Sequence, residues 1–445
     1  MREIIFAGAH LGQDTRTVPV GGGAQVGNHL IRHWAEECRF HITVLGSGLG
    51  AEWDDVPNVH YHRVPWDVPG SNGVLTDLSV QGYARFSRQF ERGVTSFLVD
   101  LAGRRDPREV CVIHNDMSEA GDFATIHRLG FRQVTIFHVD VVDYAASIYL
   151  RGLISAPVLA RIFRGVRGLG VNRCLPDVLR LIFEKQEECA RYSDLLVVPS
   201  RGMADVLLRA YPRLSRNDVL VIPWGGIVEP LTACDAVAEE VERIKEIYAL
   251  DGMRPVLLSL SRISPEKGQD LLLSALQLWE KREKIIPEVI ICGASAFIHG
   301  KAYTRKLHRL AKRLQRVRVH FPGYVTGVRK AAFFSLADLY VFPSRHESYG
   351  LTLVEALRAG LPVLTTDHRS ARDLVRDEFG RVVEATPEGI YRGLRELLGY
   401  SKQELATMGE LAKRFANGLK FETAAKRLGD AVEELLCSSA TLPSA

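Results

Sequence analysis

Short apolar runs recur along the chain, separated by longer segments in which apolar residues return every three or four positions. In the first half the runs are 2–8, 41–48, 59–64, 109–115, 133–140, 194–200 and 218–224. In the second they are 254–262, 287–293, 317–323, 338–344, 361–366 and 380–384. They are β-branched and continuous rather than alternating, which predicts strands buried on both faces of parallel sheets. The segments between them predict amphipathic helices. In 303–314, Tyr303, Leu307, Leu310, Ala311 and Leu314 form one apolar stripe, and Lys and Arg cover the rest.

The strand–helix alternation runs through twice, so the predicted class is α/β with two doubly wound, Rossmann-like domains. The break is expected within 224–253, where IPWGGIVEP leaves a strand, a charged helix follows over 236–250, and DGMRP restarts the pattern. The expected division is 1–224, then 225–400, then a tail of polar helices over 401–445 that is a candidate to pack back toward the first domain. A length of 445 residues suits two or three domains.

Composition narrows the class. The chain is 46% hydrophobic and 25% charged, as in a globular protein, and its net charge of +4 is too small to imply a nucleic-acid or membrane partner by itself. Seven cysteines, at 38, 111, 174, 189, 234, 292 and 437, form no C-x-x-C pair. Reduced thiols in a cytoplasmic protein are expected rather than a disulfide framework or a zinc site. MREIIFAGAH moves straight into a strand, not a signal segment, and no run of about 18 apolar residues predicts a spanning helix.

Ligands of open parallel sheets sit at the carboxyl ends of strands, so the residues that follow each strand carry the chemistry. SLSR followed by ISPEKG places Arg262 and Lys267 at one strand end. YVFPSR followed by HESYG places Glu347 before a helix that opens near Gly350, with Glu355 on its second turn. A helix N-terminus cradles phosphate, Gly350 admits close approach, and Arg262 and Lys267 supply the charges a diphosphate needs. A carboxylate accepts two hydrogen bonds at once, so each glutamate suits a vicinal diol, one on a hexose and one on a ribose. A nucleotide-sugar carries both.

HESYGLTLVEA resembles the E-x7-E signature of retaining glycosyltransferases of GT-B fold, family four, and SRISPEKGQDLLLSAL resembles that family's donor-phosphate segment. The likeness covers nearly all of residues 195–385. It implies two domains with parallel sheets facing across a cleft, a hinge near 224 and closure on the donor. It further implies that Arg262 and Lys267 hold the diphosphate, Glu347 contacts the transferred sugar and Glu355 binds the ribose. Ser348, Tyr349, Gly350 and Leu351 complete the donor loop. The family often has P-N-G at the end of the interdomain strand, where this chain has PWGGI (223–227). No D-x-D stands at the donor motifs, and the resemblance implies no metal and no cofactor beyond the nucleotide-sugar co-substrate.

In the first half, GGGAQVGNHLIRHW (21–34) is a glycine cluster opening a helix, with Val26, Leu30 and Trp34 on its buried face. It lacks the G-x-G-x-x-G fingerprint and reads either as a flexible loop or as a ligand loop. The resemblance implies that Gly22 and Gly23 face the donor phosphate, and that His138, after a strand, touches the transferred sugar. His114 and Asp116 are candidates for the acceptor side, as are Asp140 and Asp143. A packed histidine and ordinary loop acids are the plainer readings of these four.

Residues 301–318 hold eight Lys/Arg and no acid, which fits a solvated helix face. Residues 151–185 mix Leu, Ile and Phe with seven basic and two acidic residues. That composition suits a helix on an anionic membrane surface, and equally a lid or a subunit contact. The expected protein is cytoplasmic, with any peripheral contact made through 151–185. The expected activity is retaining transfer of a sugar from a UDP-sugar, with GDP-mannose second, to a glycan, lipid-linked or small-molecule acceptor. A phosphorylase, a sugar-nucleotide epimerase and a non-catalytic binding subunit share the architecture. A nucleic-acid partner is the weakest fit.

Overall fold

The computed structural model describes residues 2–13, 21–68, 75, 78–150, 152–170, 176–227, 234–295 and 300–439. The chain divides into two compact units, Met1–Trp224 with Phe421–Ala445, and Gly225–Lys420.

The first unit is built on seven strands: β1 (Arg2–Ala7), β2 (Phe40–Gly46), β3 (Val59–Arg63), β4 (Val110–His114), β5 (Arg132–Ile136), β6 (Leu195–Val198) and β7 (Val219–Val221). They form one sheet in the order β3-β2-β1-β4-β5-β6-β7, with every pair parallel. The second unit has six: β8 (Val256–Leu260), β9 (Glu288–Cys292), β10 (Arg318–Gly323), β11 (Leu339–Phe342), β12 (Val363–Thr366) and β13 (Gly380–Val383). Their order is β10-β9-β8-β11-β12-β13, again wholly parallel. Each apolar run read from the sequence overlaps one strand.

Central strands such as β4, β8 and β11 are buried at every position, because helices cover both faces of the sheet. The edge strand β3 departs from that rule: its His60, His62 and Arg63 are exposed. The runs also overshoot their strands at the carboxyl ends. The run 133–140 outlasts β5, which ends at Ile136, and the run 254–262 outlasts β8, which ends at Leu260, so His138 and Arg262 stand beyond the ends of their strands.

Within the first unit, the C-terminal helix Phe421–Ser439 packs on the helix Gly22–Glu36. The Trp34 indole N–H donates to the Ala425 carbonyl at 3.0 Å, and Arg39 pairs with Asp430 at 2.6 Å and Glu433 at 3.0 Å. The preceding helix, Lys402–Asn417, belongs to the second unit and starts at a reciprocal Ser401–Glu404 cap.

Candidate active site

In the second sheet the chain steps from β8 outward to β9 and β10, then returns to β11 on the other side of β8. Strand order therefore reverses between β8 and β11, and the carboxyl ends of these two strands are where an open α/β sheet binds ligands. Arg262 and Lys267 follow β8. Glu347, Ser348, Tyr349 and Gly350 follow β11 and lead into the helix Leu351–Arg358. Gly350, the residue before that helix, has φ 91° and ψ 68°, a left-handed conformation that glycine adopts without a Cβ clash. The first amides of the helix lack intrahelical acceptors and carry the positive end of its dipole.

Lys267 donates to Glu347, and the two side chains are only 11% and 14% exposed. Burial pushes the Glu347 carboxyl up. The charge and hydrogen bond of Lys267, together with His368 and Arg262, outweigh it and hold the carboxyl below its ordinary value. The turn that carries Lys267 ends at Gly268 (φ 66°), where a Cβ would lie 1.9 Å from the Pro343 carbonyl. Glycine is thus required for the post-β8 turn to pass the end of β11.

The two loops are tied together by Asp270. Arg345 grips it through both terminal nitrogens, at 2.7 and 3.0 Å, and the Tyr303 hydroxyl and Lys306 each donate at 2.7 Å. Burial opposes ionisation of Asp270, but Arg345 foremost, then Lys306 and Tyr303, bring it down to about 2. The Arg345 backbone N–H also donates to the Glu266 carbonyl at 2.7 Å. On the far side of the loop the Ser370 hydroxyl donates to the Tyr349 carbonyl at 2.7 Å. His368, bonded to Thr365 and Ser370, is buried, and that burial holds it down at about 4.

Glu355 is 23% exposed and accepts from Lys330, on the helix Gly327–Leu336, at 3.2 Å. Lys330 was not marked by the sequence, since it lies on a neighbouring helix outside either motif. Tyr349 is corrected in one respect: its ring is buried and its hydroxyl accepts from the Gly225 N–H at 2.8 Å. The phenol is an anchor, and only the backbone of Tyr349 belongs to the loop. Ser348 is also buried, Arg262 is exposed, and Leu351 is half-buried at the helix start.

In the first unit strand order reverses between β1 and β4. The residue after β4 is Asn115, which the sequence reading passed over. Its Nδ2 donates to the Gly23 carbonyl at 3.2 Å and its Oδ1 lies 3.2 Å from His138 Nε2. A Cβ on Gly23 would lie 2.7 Å from the His138 ring, so the glycine is what lets the helix Gly22–Glu36 start against that ring. Trp224 is buried with its ring 6.1 Å from that of His138. Gly22 is exposed at the helix start.

The four acceptor-side candidates sit elsewhere. His114 is enclosed in the sheet, bonded to Gln133 at 3.2 Å and set edge-on to Phe123; burial pulls it down to about 3. Asp116 accepts from the Ser118 amide and hydroxyl at 2.8 and 2.7 Å, and burial, then the charge of Glu119, pushes it up to about 7. Asp140 caps the turn Val141–Tyr144 by accepting from the Asp143 amide at 2.9 Å, and also accepts from Gln186 at 2.8 Å. Asp140 and Asp143 are both 2% exposed. His114, Asp140 and Asp143 are therefore interior groups that no acceptor hydroxyl reaches, and Asp116 is occupied in a turn. Among the described residues no group of three or more His, Cys, Asp or Glu is placed to hold a metal ion.

Residues 240–418, which include Arg262, Lys267, Glu347 and Glu355, match the family model for glycosyl transferases group 1. A D-inositol 3-phosphate glycosyltransferase of Xylanimonas cellulosilytica is 31% identical over 210 residues, 46% of this chain and 47% of that one. A GDP-mannose-dependent α-(1-6)-phosphatidylinositol monomannoside mannosyltransferase of Mycolicibacterium smegmatis is 30% identical over 199 residues, 42% of this chain and 50% of that one. These alignments span about half the length of the curated relatives. The structure of Anabaena HepE in complex with UDP and glucose superposes with a TM-score of 0.62 at 17% identity, covering 97% of this chain and 100% of that one.

Proposed function

We propose, for a chain whose residues 240–418 match the model of the glycosyl transferases group 1, retaining transfer of a sugar from a nucleotide-sugar to a hydroxyl of a glycan, lipid-linked or small-molecule acceptor. One observation carries the reading: Arg262, Lys267 and Glu347 gather before the N-terminus of the helix that bears Glu355.

An incoming diphosphate takes over Lys267, with Arg262 and the first amides of the helix Leu351–Arg358 beside it. Glu347, released from Lys267, accepts hydrogen bonds from the sugar. Glu355, oriented by Lys330, accepts from the ribose diol. The sugar–phosphate C–O bond breaks as the acceptor oxygen bonds to the same carbon on the same face, and the departing phosphate oxygen takes the acceptor's proton. No side chain becomes a covalent nucleophile. Positioning and stabilisation of the charge growing on the leaving diphosphate do the catalytic work.

The UDP bound to the HepE neighbour supports a UDP-sugar donor, and the GDP-mannose-dependent relative supports GDP-mannose as the second choice. A cytoplasmic setting fits such a donor. Peripheral contact with anionic lipid is assigned to 151–185. Leu153, Ile162 and Leu169 are 87%, 51% and 80% exposed, and the sequence from 144 to 176 has five arginines and no acid. No helix among the described residues is long and apolar enough to cross a membrane.

The test is incubation with UDP-glucose or GDP-mannose and a panel of hydroxyl acceptors. Acceptor-dependent release of the nucleoside diphosphate, with an α-linked product from an α-linked donor, is the predicted result. A requirement for free phosphate, or consumption of donor with no acceptor present, contradicts it.

A further inference from the structure

The contacts of Asn115 decide which nitrogen of His138 carries the proton. The Gly23 carbonyl only accepts, so the Asn115 atom 3.2 Å from it is the amide nitrogen. The amide oxygen then faces His138 Nε2 at 3.2 Å and requires a hydrogen there. The Cβ–Cγ–Cδ2 edge of the ring lies against Gly23, and the Trp224 ring lies 6.1 Å away, tilted by 41°. A flipped ring would put carbon in place of Nε2 and lose Asn115. The hydrogen-bonding position left on the ring is Nδ1.

Asn115 itself has little freedom. It is 3% exposed, and a Cβ on Gly8 or Gly27 would come within 3.0 Å of its Cβ or 2.8 Å of its Oδ1. Two glycines, Gly8 after β1 and Gly27 in the helix Gly22–Glu36, make room for one amide, as Gly23 does for the His138 ring. The groups that face the ring from those elements and from the end of β7 are Gly23, Asn115 and Trp224, all uncharged. Burial is the sole cause that lowers His138, to about 3.

We propose that Asn115 is a positioning residue that fixes His138 as its neutral Nε2–H tautomer, leaving the Nδ1 lone pair to recognise a hydroxyl hydrogen on the sugar and to reject a carboxylate. A hydroxyl donates to Nδ1. A carboxylate sets lone pair against lone pair and has nothing to give. The specificity rests on the assignment of His138 to the transferred sugar; the tautomer does not.

The tautomer is read directly from the full-length protein with isotope-labelled histidine and proton–nitrogen correlation spectra, using His138→Gln to identify the signal. The expected spectrum is Nε2–H with no protonation from about pH 8 to about pH 5.5. An Nδ1–H pattern, or a ring that titrates in that range, overturns the proposal. In Asn115→Asp the new carboxylate faces Nε2–H and favours the imidazolium. The ring should then titrate within that range, and the donor KM should rise about tenfold on the acid side while the wild type stays flat. An unchanged pH profile in a folded variant overturns the positioning role. For substrate choice, wild type should prefer UDP-glucose over UDP-glucuronate by about a hundredfold or more in kcat/KM, and Asn115→Asp should narrow that ratio. Equal use of the two by wild type overturns the specificity. Failure to bind any nucleotide counts against the glycosyltransferase reading, whereas the ring spectrum, which needs no substrate, still decides the tautomer.

Discussion

Lys267 and Glu347, eighty residues apart in the chain, are bonded to each other across the ends of the adjacent strands β8 and β11. Each is the other's partner until a ligand supplies better ones: phosphate for the ammonium, sugar hydroxyls for the carboxylate. Breaking the pair from either side therefore has different consequences. Lys267→Met should lower both nucleoside-diphosphate affinity and turnover, the latter by about 10²–10³. Glu347→Gln should lower turnover by about 10² or more but bind nucleoside diphosphate at least as tightly as wild type, because Lys267 is no longer held. Steady-state rates and nucleotide titrations on the two variants separate these outcomes.

Glu355 meets the nucleotide through its ribose in this account. Glu355→Ala should weaken nucleoside-diphosphate binding by about ten- to a hundredfold, the worth of a charged hydrogen bond. A nucleotide lacking both ribose hydroxyls should bind variant and wild type equally. Lys330→Met, which removes only the group orienting the carboxylate, should cost about severalfold.

Gly23 tests the first unit. Gly23→Ala drives a methyl group to 2.7 Å from the His138 ring, and should lower unfolding stability by about 1–3 kcal/mol and turnover with it. Gly21→Ala, whose Cβ would meet nothing within 4 Å, is the matched control and should leave the thermal midpoint within a degree or two.

The strands were legible because central strands of a covered parallel sheet are buried on both faces and therefore mostly apolar, and β3 shows the limit of that signal at an edge. The placement of Arg262, Lys267 and Glu347 ahead of the helix that bears Glu355 was legible because each follows a strand or helix start within a motif of fixed spacing. Asn115 was not. Its partners Gly8, Gly23, Gly27 and His138 are gathered by sheet register, not by sequence, and the one local hint was its place at the carboxyl end of the β4 run. His114 and Asp140 misled for the converse reason. A polar residue at a strand end reads as a ligand group, and the buried Gln133 and Gln186 that bond to them lie far along the chain.

Stability should fall on acidification below about pH 6.5. His114 and His138 sit at about 3 and His368 at about 4 when folded, against an ordinary 6.5. As pH drops through 6.5 the unfolded chain takes up protons that the folded one refuses, so the folded state loses ground down to 3–4. Asp116, raised to about 7 from 3.8, works oppositely, since the folded state keeps a proton that the unfolded chain has lost. Thermal unfolding between about pH 7 and about pH 5 should therefore show a falling midpoint, flattened in His114→Gln and steepened in Asp116→Asn.

The apolar, arginine-rich segment gives a lipid prediction. The protein should sediment with phosphatidylglycerol vesicles and not with phosphatidylcholine vesicles. Arg161→Glu should weaken that binding by about tenfold or more, and Ile162→Glu should weaken it without altering nucleotide affinity. Equal sedimentation with both lipids, or with neither, contradicts the assignment.

The most direct measurement is a calorimetric titration of the wild type and Lys267→Met with UDP, GDP, ADP and TDP. The account predicts that one nucleotide binds the wild type and that its affinity drops at least about tenfold in Lys267→Met. No binding by any of the four to folded wild-type protein, or equal binding by the variant, would contradict a diphosphate site at Arg262, Lys267 and the helix Leu351–Arg358.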